Sequence, residues 1–448
     1  MKHIKYLFNF KLLIIFFLSI VFIACKKEIA STSSPAINKL PIANAGVDQT
    51  IILPTDSVEL SGSATGNIIS YKWSQISGPN QSAILDSTLV NTTVKYLVKG
   101  VYQFQLKVTN ASGDTAVDNV VINVVINVVH PEVLALVGKL SIKRANVAVV
   151  AAGNKIFFAG GNLETLSNII PLVSRVDIYD IITKTWSTAE LSEARCDIGA
   201  VVVGNKILFA SGGNYWDGGY WGAIALSTRV DIYDLSTNNW STTEMPGEVS
   251  FRNGWDGTTA AAGNKAIFCD AYTQKAYIYD VANNTWTTNT LSISRRNLAS
   301  ASLGNKIFIA GSGTSNVDVY DVSTNLWTIE SLSESRGGIR ASTLNNKAFF
   351  AGGGFHPNYT DKVDIYDIAT QTWSIERLSR ATVLAGAAPL GNKMLFFGDK
   401  IVDIYDTSTK TWSISELSEF FSVDGSIIIS AGGNVYATKG NQVWRVQL

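Results

Sequence analysis

Four aromatic side chains, Tyr215, Trp216, Tyr220 and Trp221, stand in the stretch GGNYWDGGYWGA (residues 212–223), which is otherwise mostly glycine. Glycine this dense keeps the stretch from holding a strand, while the rings offer broad contact area for few frozen torsions. Such a loop suits recognition. Phe355, His356 and Tyr359 form a second group of the same kind in GGGFHPNYT. Arginines recur beside a Leu-Ser phrase: Arg144, Arg195, Arg295, Arg336 and Arg380, with Arg252 matching in one further copy and Phe421 in the last. Planar donors beside aromatic plates suit sugar stacking with hydroxyl hydrogen bonds, or a peptide bearing carboxylates. Arginines present in nearly every copy also suit bonds to carbonyls between repeated units, and both readings stay open on the sequence.

Bond-making chemistry finds little material. Residues 133–448 contain one histidine, His356, so a zinc site of three His or Cys ligands cannot be assembled there, and a Ser-His-Asp triad would have to use that residue alone. No GxSxG, P-loop or GxGxxG motif occurs in a context that supports it. No cofactor and no metal is expected.

The positioning elements begin with an export signal. Lys2, Lys5 and Lys11 form a positive segment, residues 12–24 are apolar and too short to span a bilayer comfortably, and Ala24 is a small residue before Cys25. With residues 1–24 removed, 33 basic residues face 36 acidic ones. Nothing here supplies the basic surface that nucleic acid requires, so nucleic acid is excluded as a partner. Cys196 and Cys269 are the remaining thiols, and their separation argues for buried small hydrophobes rather than a disulfide framework.

Residues 25–39 have the Ser, Thr and Ala content of a flexible tether. Residues 40–129 alternate short apolar runs with turn clusters, which predicts a β-sandwich. Residues 133–448 repeat. RVDIYDIITKTW, RVDIYDLSTNNW, KAYIYDVANNTW, NVDVYDVSTNLW, KVDIYDIATQTW and IVDIYDTSTKTW each place Tyr and Trp seven apart, and GNK or a variant recurs at Gly153, Gly204, Gly263, Gly304, Asn345, Gly391 and Gly433. Each copy reads as four strands, with Gly and Asn of GNK giving positive φ to a hairpin and the Asp-x-x-Thr phrase closing the next turn. A four-stranded sheet apolar on both faces must pack between copies of itself, as a propeller blade does.

These phrases carry resemblances. PIANAGVDQT, SYKWSQISGP and YQFQLKVTNASGDTA resemble PKD-type immunoglobulin-like domains, which makes Trp73 the core tryptophan; an acidic turn common in that family is replaced by residues 64–67, Ala-Thr-Gly-Asn. The repeats, with their diglycines at Gly160-Gly161, Gly212-Gly213 and Gly352-Gly353, resemble Kelch repeats. Phe22-Ile23-Ala24-Cys25 resembles the lipobox of bacterial lipoproteins, which implies acylation of Cys25 and attachment to the outer membrane through lipid alone, with surface display favoured by Lys26-Lys27-Glu28. The Kelch resemblance also brings enzymatic readings. A copper oxidase of that kind needs two histidines and is excluded; a sugar mutarotase resembling the sialic-acid mutarotases needs only acids and arginines, for which Glu193 and Glu334 are the candidates.

The expected fold is all-β: a PKD-like sandwich, then a seven-bladed Kelch-like propeller whose last blade takes its fourth strand from residues 134–144. Antiparallel strands send GNK and Asp-x-x-Thr turns to one end, and every long insertion (161–174, 213–228, 354–361) with the arginines to the other. A monomeric, non-enzymatic protein binding a glycan or a protein or peptide there is the functional expectation. Cells fed a fatty-acid analogue are expected to label the wild-type chain, and equal labelling of Cys25→Ser overturns the acylation.

Overall fold

The computed structural model describes residues 40–53, 55–126, 128–131, 133–163, 171–215, 225–249, 251, 257–270, 273–294, 296–311, 313–417 and 426–448. Cys25 and the tether lie outside them. The described residues form strands and no helix. Residues 42–126 make two main sheets, one with Gln49–Leu53, Thr115–Ile126, Gly100–Asn110 and Ile68–Ser77, the other with Val58–Ser61, Asn91–Lys95 and Ala83–Ile84, and a short antiparallel pair of Ile42–Asn44 with Ser63–Thr65. Alternation places Tyr102, Phe104, Leu106 and Val108 on one face of their strand, against Leu60 and Val94 of the opposite sheet. Trp73, 1% exposed, sits in this core and donates its indole N–H to Val90 O at 3.2 Å.

Beyond residue 133 the sheets share one plan. The first contains Ala148–Ala152, Lys155–Ala159, Arg175–Asp180 and Thr185–Glu190 in sequence order, all antiparallel. Five more begin at Gly199–Val203, Thr258–Ala262, Ala299–Leu303, Arg340–Leu344 and Gly386–Leu390. Their second strands, KIFFA, KILFA, KAIFC, KIFIA, KAFFA and KMLFF, are buried on both faces, so each sheet is stable only between neighbours. Phe157 of the first sheet packs on Phe209 and Tyr233 of the second, and the remaining pairs follow in order.

The constant phrases are turn chemistry. Tyr and Trp seven apart are cross-strand partners, Tyr179 opposite Trp186 with ring centroids 5.0 Å apart, because a four-residue turn separates Asp180 from its partner Thr185. Asp180 Oδ1 accepts the N–H groups of Ile182 and Thr183, each at 3.0 Å. The GNK hairpin braces that turn: Asn154 Nδ2 donates to Asp180 Oδ2 at 2.9 Å, and Ile181 N–H donates to Asn154 O at 2.8 Å. Only the first position of GNK has positive φ, Gly153 at 57° and Asn345 at 54°; the following asparagine has a bracing role instead. In the second sheet the left-handed pair is Ser211-Gly212, one residue before the diglycine expected there.

The seventh sheet joins Ile428–Ala431, Asn434–Lys439 and Gln442–Gln447 to Val133–Lys139, antiparallel from Val133 opposite Gln447 to Lys139 opposite Gln442. Tyr436 and Val443 of this sheet pack with Ile156, Phe158 and Tyr179 of the first. Just upstream, Val128–Pro131 lies parallel to Thr411–Glu416 as a fifth strand on the sixth sheet. Trp412 and Ile414 there are buried, unlike their counterparts at other outer edges. Deletion of residues 133–139 strips one side of Gln442–Gln447 of its hydrogen bonds. The melting temperature is expected to fall by at least several degrees, at about 2–4 °C per kcal/mol lost for a unit of this size; unchanged melting overturns the assignment.

Candidate functional site

The starts of the first strands of the first five sheets, with Ile427 next to that of the seventh, line a cavity of about 300 Å³, at the low end of the ~300–1,000 Å³ typical of ligand sites. Its polar lining includes Asn146, Asp197, Thr258, Thr259, Ser300 and Arg340. Thr258 and Ser300 hydroxyls are 2.8 Å apart, and Ser300 Oγ donates to Thr259 O at 2.9 Å. Asn146 and Asp197 occupy left-handed backbone, φ 53° and 52°, each two residues past a repeated arginine; Asn297 and Gly338 hold the equivalent place. The linkage runs around the rim: Asp197 N–H donates to Asn146 O at 3.3 Å, and Phe251 N–H to Asp197 O at 3.2 Å. Sequence reasoning missed these residues, although their constant offset from the arginines was a usable signal.

Two insertions are rooted at this rim. Gly213–Tyr215 pairs with Ala225–Leu226 as the stem of the aromatic loop, and Gly213 exchanges both backbone hydrogen bonds with Cys196, the neighbour of Asp197, at 2.8 and 3.0 Å. Trp216, Tyr220 and Trp221 lie outside the described residues. The second stem pairs Gly354–Phe355 with Asn358–Tyr359, and Gly354 N–H donates to Gly337 O at 2.7 Å, three residues before Arg340. His356 and Tyr359 are exposed there, their rings 6.1 Å apart. Both loops therefore leave the fold beside residues that line the cavity.

The arginines are a different matter, and the expectation of a ligand-facing ring is corrected. Arg144, Arg195 and Arg336 are 1%, 0% and 3% exposed. Arg144 Nη1 lies 2.7 Å from Asp177 Oδ2, Nε donates to Gly160 O at 2.7 Å and Nη2 to Phe158 O at 3.0 Å. Arg195 pairs with Asp231 and donates to Ser211 O at 2.7 Å and Arg229 O at 2.6 Å. Arg336 pairs with Asp364 at 2.6 Å and donates to Gly352 O and Phe350 O, both at 3.0 Å. Guanidiniums buried this fully and spent on strand-end carbonyls and a carboxylate are not presented to a ligand. Arg295 and Arg252 lie outside the described residues.

Arg380 is exposed and out of register. Arg144, Arg195 and Arg336 each stand three residues after the serine whose N–H donates to the sheet's buried aspartate; three after Ser379 comes Thr382. Asp403, 2% exposed, accepts the Ser379 N–H at 2.7 Å and has no ion pair among the described residues. Burial pushes its carboxyl up to about 6, against the hydrogen bonds from Ser379 and the charge of Arg380. A raised acid stabilises the fold fully below the ordinary carboxylate range, and that contribution is lost as pH rises through about 6.

Glu193 and Glu334 do not line the cavity. Glu193 Oε2 accepts from Ser227 Oγ at 2.6 Å, and Glu334 Oε2 lies 2.7 Å from Lys362 Nζ. Burial raises the Glu334 carboxyl, but bonds from Lys362 and Thr360 outweigh it and hold the group below its usual range.

Residues 45–124 match the family model for the PKD domain of KIAA0319-like proteins. This PKD segment is 33% identical over 82 residues to human dyslexia-associated protein KIAA0319, covering 18% of this chain and 8% of that one. It is 34% identical over 88 residues to the mouse KIAA0319-like protein, at 18% and 8% coverage. To human low-density lipoprotein receptor-related protein 11 it is 32% identical over 82 residues, at 18% and 16%. The chain thus spans a small fraction of the length of these relatives. Among solved structures, that of YjhT aligns with 62% of this chain and 99% of its own at 14% identity and a TM-score of 0.43. No residue of the PKD segment lines the cavity; it meets the sixth sheet, where the Arg377 guanidinium lies 5.8 Å from the Tyr96 ring centre.

Arg195→Ala leaves Asp231 buried without its partner, and a stability loss of about 3–5 kcal/mol is expected by denaturant titration. Arg380→Ala is expected to change stability by under ~0.5 kcal/mol. Equal effects of the two overturn the assignment of roles.

Proposed function

We propose that residues 133–448 form a closed seven-bladed propeller and that its cavity end binds a carbohydrate or a peptide. The order of neighbours supports the ring: the first strand of each sheet lies beside that of the next, and Ile428–Ala431 of the seventh lies beside Ala148–Ala152 of the first. The observation that carries the binding site is that two insertions found in only some copies are rooted at the rim of a polar cavity. Packing of the repeats does not require those insertions, and loops on a rigid frame are where recognition concentrates. Acylation of Cys25 and a tether over residues 25–39 complete the reading: a lipid-anchored binding protein of the cell envelope, with the PKD segment as spacer.

A sugar mutarotase is the weaker reading, since Glu193 and Glu334 are engaged in structural bonds away from the cavity. The binding reading is tested with the purified chain on a panel of glycans and peptides. Any ligand found is expected to lose affinity on the order of 1 kcal/mol per aromatic contact in Trp216→Ala with Trp221→Ala, with melting unchanged. Arg340→Ala is expected to weaken binding of an acidic ligand further. A double mutant that melts lower and keeps its binding overturns the assignment of the loop.

A further inference from the structure

The sixth sheet repeats a cation-holding frame without the arginine that fills it in three other sheets. In the first and fifth sheets one guanidinium bridges the buried carboxylate to carbonyls of the second strand: Asp177 with Phe158 O and Gly160 O, and Asp364 with Phe350 O and Gly352 O. The second sheet places Arg195 in the same way against Asp231, Ser211 O and Arg229 O. Backbone register carries each part of the frame into the sixth sheet. Phe396 is the partner of Asp403 as Phe158 is of Asp177 and Phe350 of Asp364. Gly398 N–H donates to Ile401 O at 2.9 Å as Gly160 N–H does to Arg175 O at 3.0 Å. Ser379 N–H donates to Asp403 as Ser141 and Ser333 do to their aspartates. Thr382 stands at the arginine position, and its hydroxyl donates to Val383 O at 2.9 Å.

The loop above this place is shorter than its counterpart in the fifth sheet, although Asp403 itself is as buried as Asp177 and Asp231. The chain returns from Gly398 to Ile401 through Asp399 and Lys400 alone, whereas the fifth sheet carries the hairpin of Gly354–Phe355 and Asn358–Tyr359 at that point. Arg380, Ala381, Asp399 and Lys400 are exposed around it. A Cβ built on Gly398 would lie 3.7 Å from Arg380 Nη2 and 4.0 Å from Thr382 Cγ2, with 3.3 Å to Ile401 O. The charged groups acting on Asp403 are Arg380 and Asp361, and Asp361 is itself paired with Arg377 at 2.7 Å.

We propose that Asp403, with Ser379 and the carbonyls of Phe396, Gly398 and Ile401, is a binding site for a guanidinium group supplied from outside the chain. A planar fork is favoured over a spherical ion because, in the sister sheets, one group meets a carboxylate and several carbonyls in different directions at once. The guanidinium is carried either by a small free compound or by an arginine of a peptide docking on this end. The site is separate from the cavity and does not depend on its ligand.

Saturation-transfer NMR on the full chain tests this with methylguanidinium, methylammonium and a short arginine-containing peptide as probes. Methylguanidinium is expected to give a signal with the wild type that is lost in Asp403→Asn and in Thr382→Arg, the latter restoring the chain's own guanidinium and raising the melting temperature. Arg340→Ala, in the cavity wall, is expected to leave the signal intact. A peptide signal competed away by methylguanidinium identifies peptidyl arginine as a second source, and a methylguanidinium signal alone identifies the free compound. No methylguanidinium signal, an equal methylammonium signal, or a signal that persists in Thr382→Arg overturns the proposal.

Discussion

One grip recurs at five of the passages from one sheet to the next, and is missing before the third sheet, where Tyr277 stands at the aspartate's place and Pro246 at the serine's. A buried aspartate at the middle of the third strand takes the serine N–H of the incoming segment, and, in three sheets, the arginine of that same segment. Without it, two strand-end carbonyls and a carboxylate would stand unpaired in an apolar interior, at a cost of several kcal/mol. The grip also fixes where the next strand begins, because the residue two positions past the arginine takes left-handed backbone and turns the chain toward the cavity.

The two ends of the sheets are consequently built to different rules. At the GNK end, asparagine, lysine and aspartate brace one another, with Lys265 3.7 Å from Asp280, Lys306 3.6 Å from Asp321 and Lys347 paired with Asp367. Such turns admit little variation. At the other end the grip lies below the surface, so loops above it vary in length without disturbing it. Freedom to vary and closeness to the cavity coincide there, and that coincidence is what makes the end suitable for recognition.

The linker after the PKD segment has two consecutive attachments, Val128–Pro131 on the sixth sheet and Val133–Lys139 in the seventh. An edge strand left open exposes a row of unpaired backbone groups. Here the chain's own upstream segment covers that row, so the link to the PKD segment and the completion of the last sheet are one structural feature.

Much was legible in the sequence because it was local. Tyr179 opposite Trp186 follows from a spacing of seven, the Asp180 turn from the residues next to it, and the strand from 134 onward from its match to the other copies. The loop stems at Gly213 and Gly354 follow from strand alternation. The role of the arginines was not legible, since a recurrent arginine reads alike whether it faces solvent or carbonyls. That choice was made by the pairing of Arg195 with Asp231, thirty-six positions along the chain, and by the approach of strand-end carbonyls that only the packed sheets bring together. The shift of Arg380 off the arginine position was itself legible, since it follows its Leu-Ser phrase directly where Arg144, Arg195 and Arg336 stand three residues past the serine; its consequence, a buried Asp403 without an ion pair among the described residues, required the packed strands.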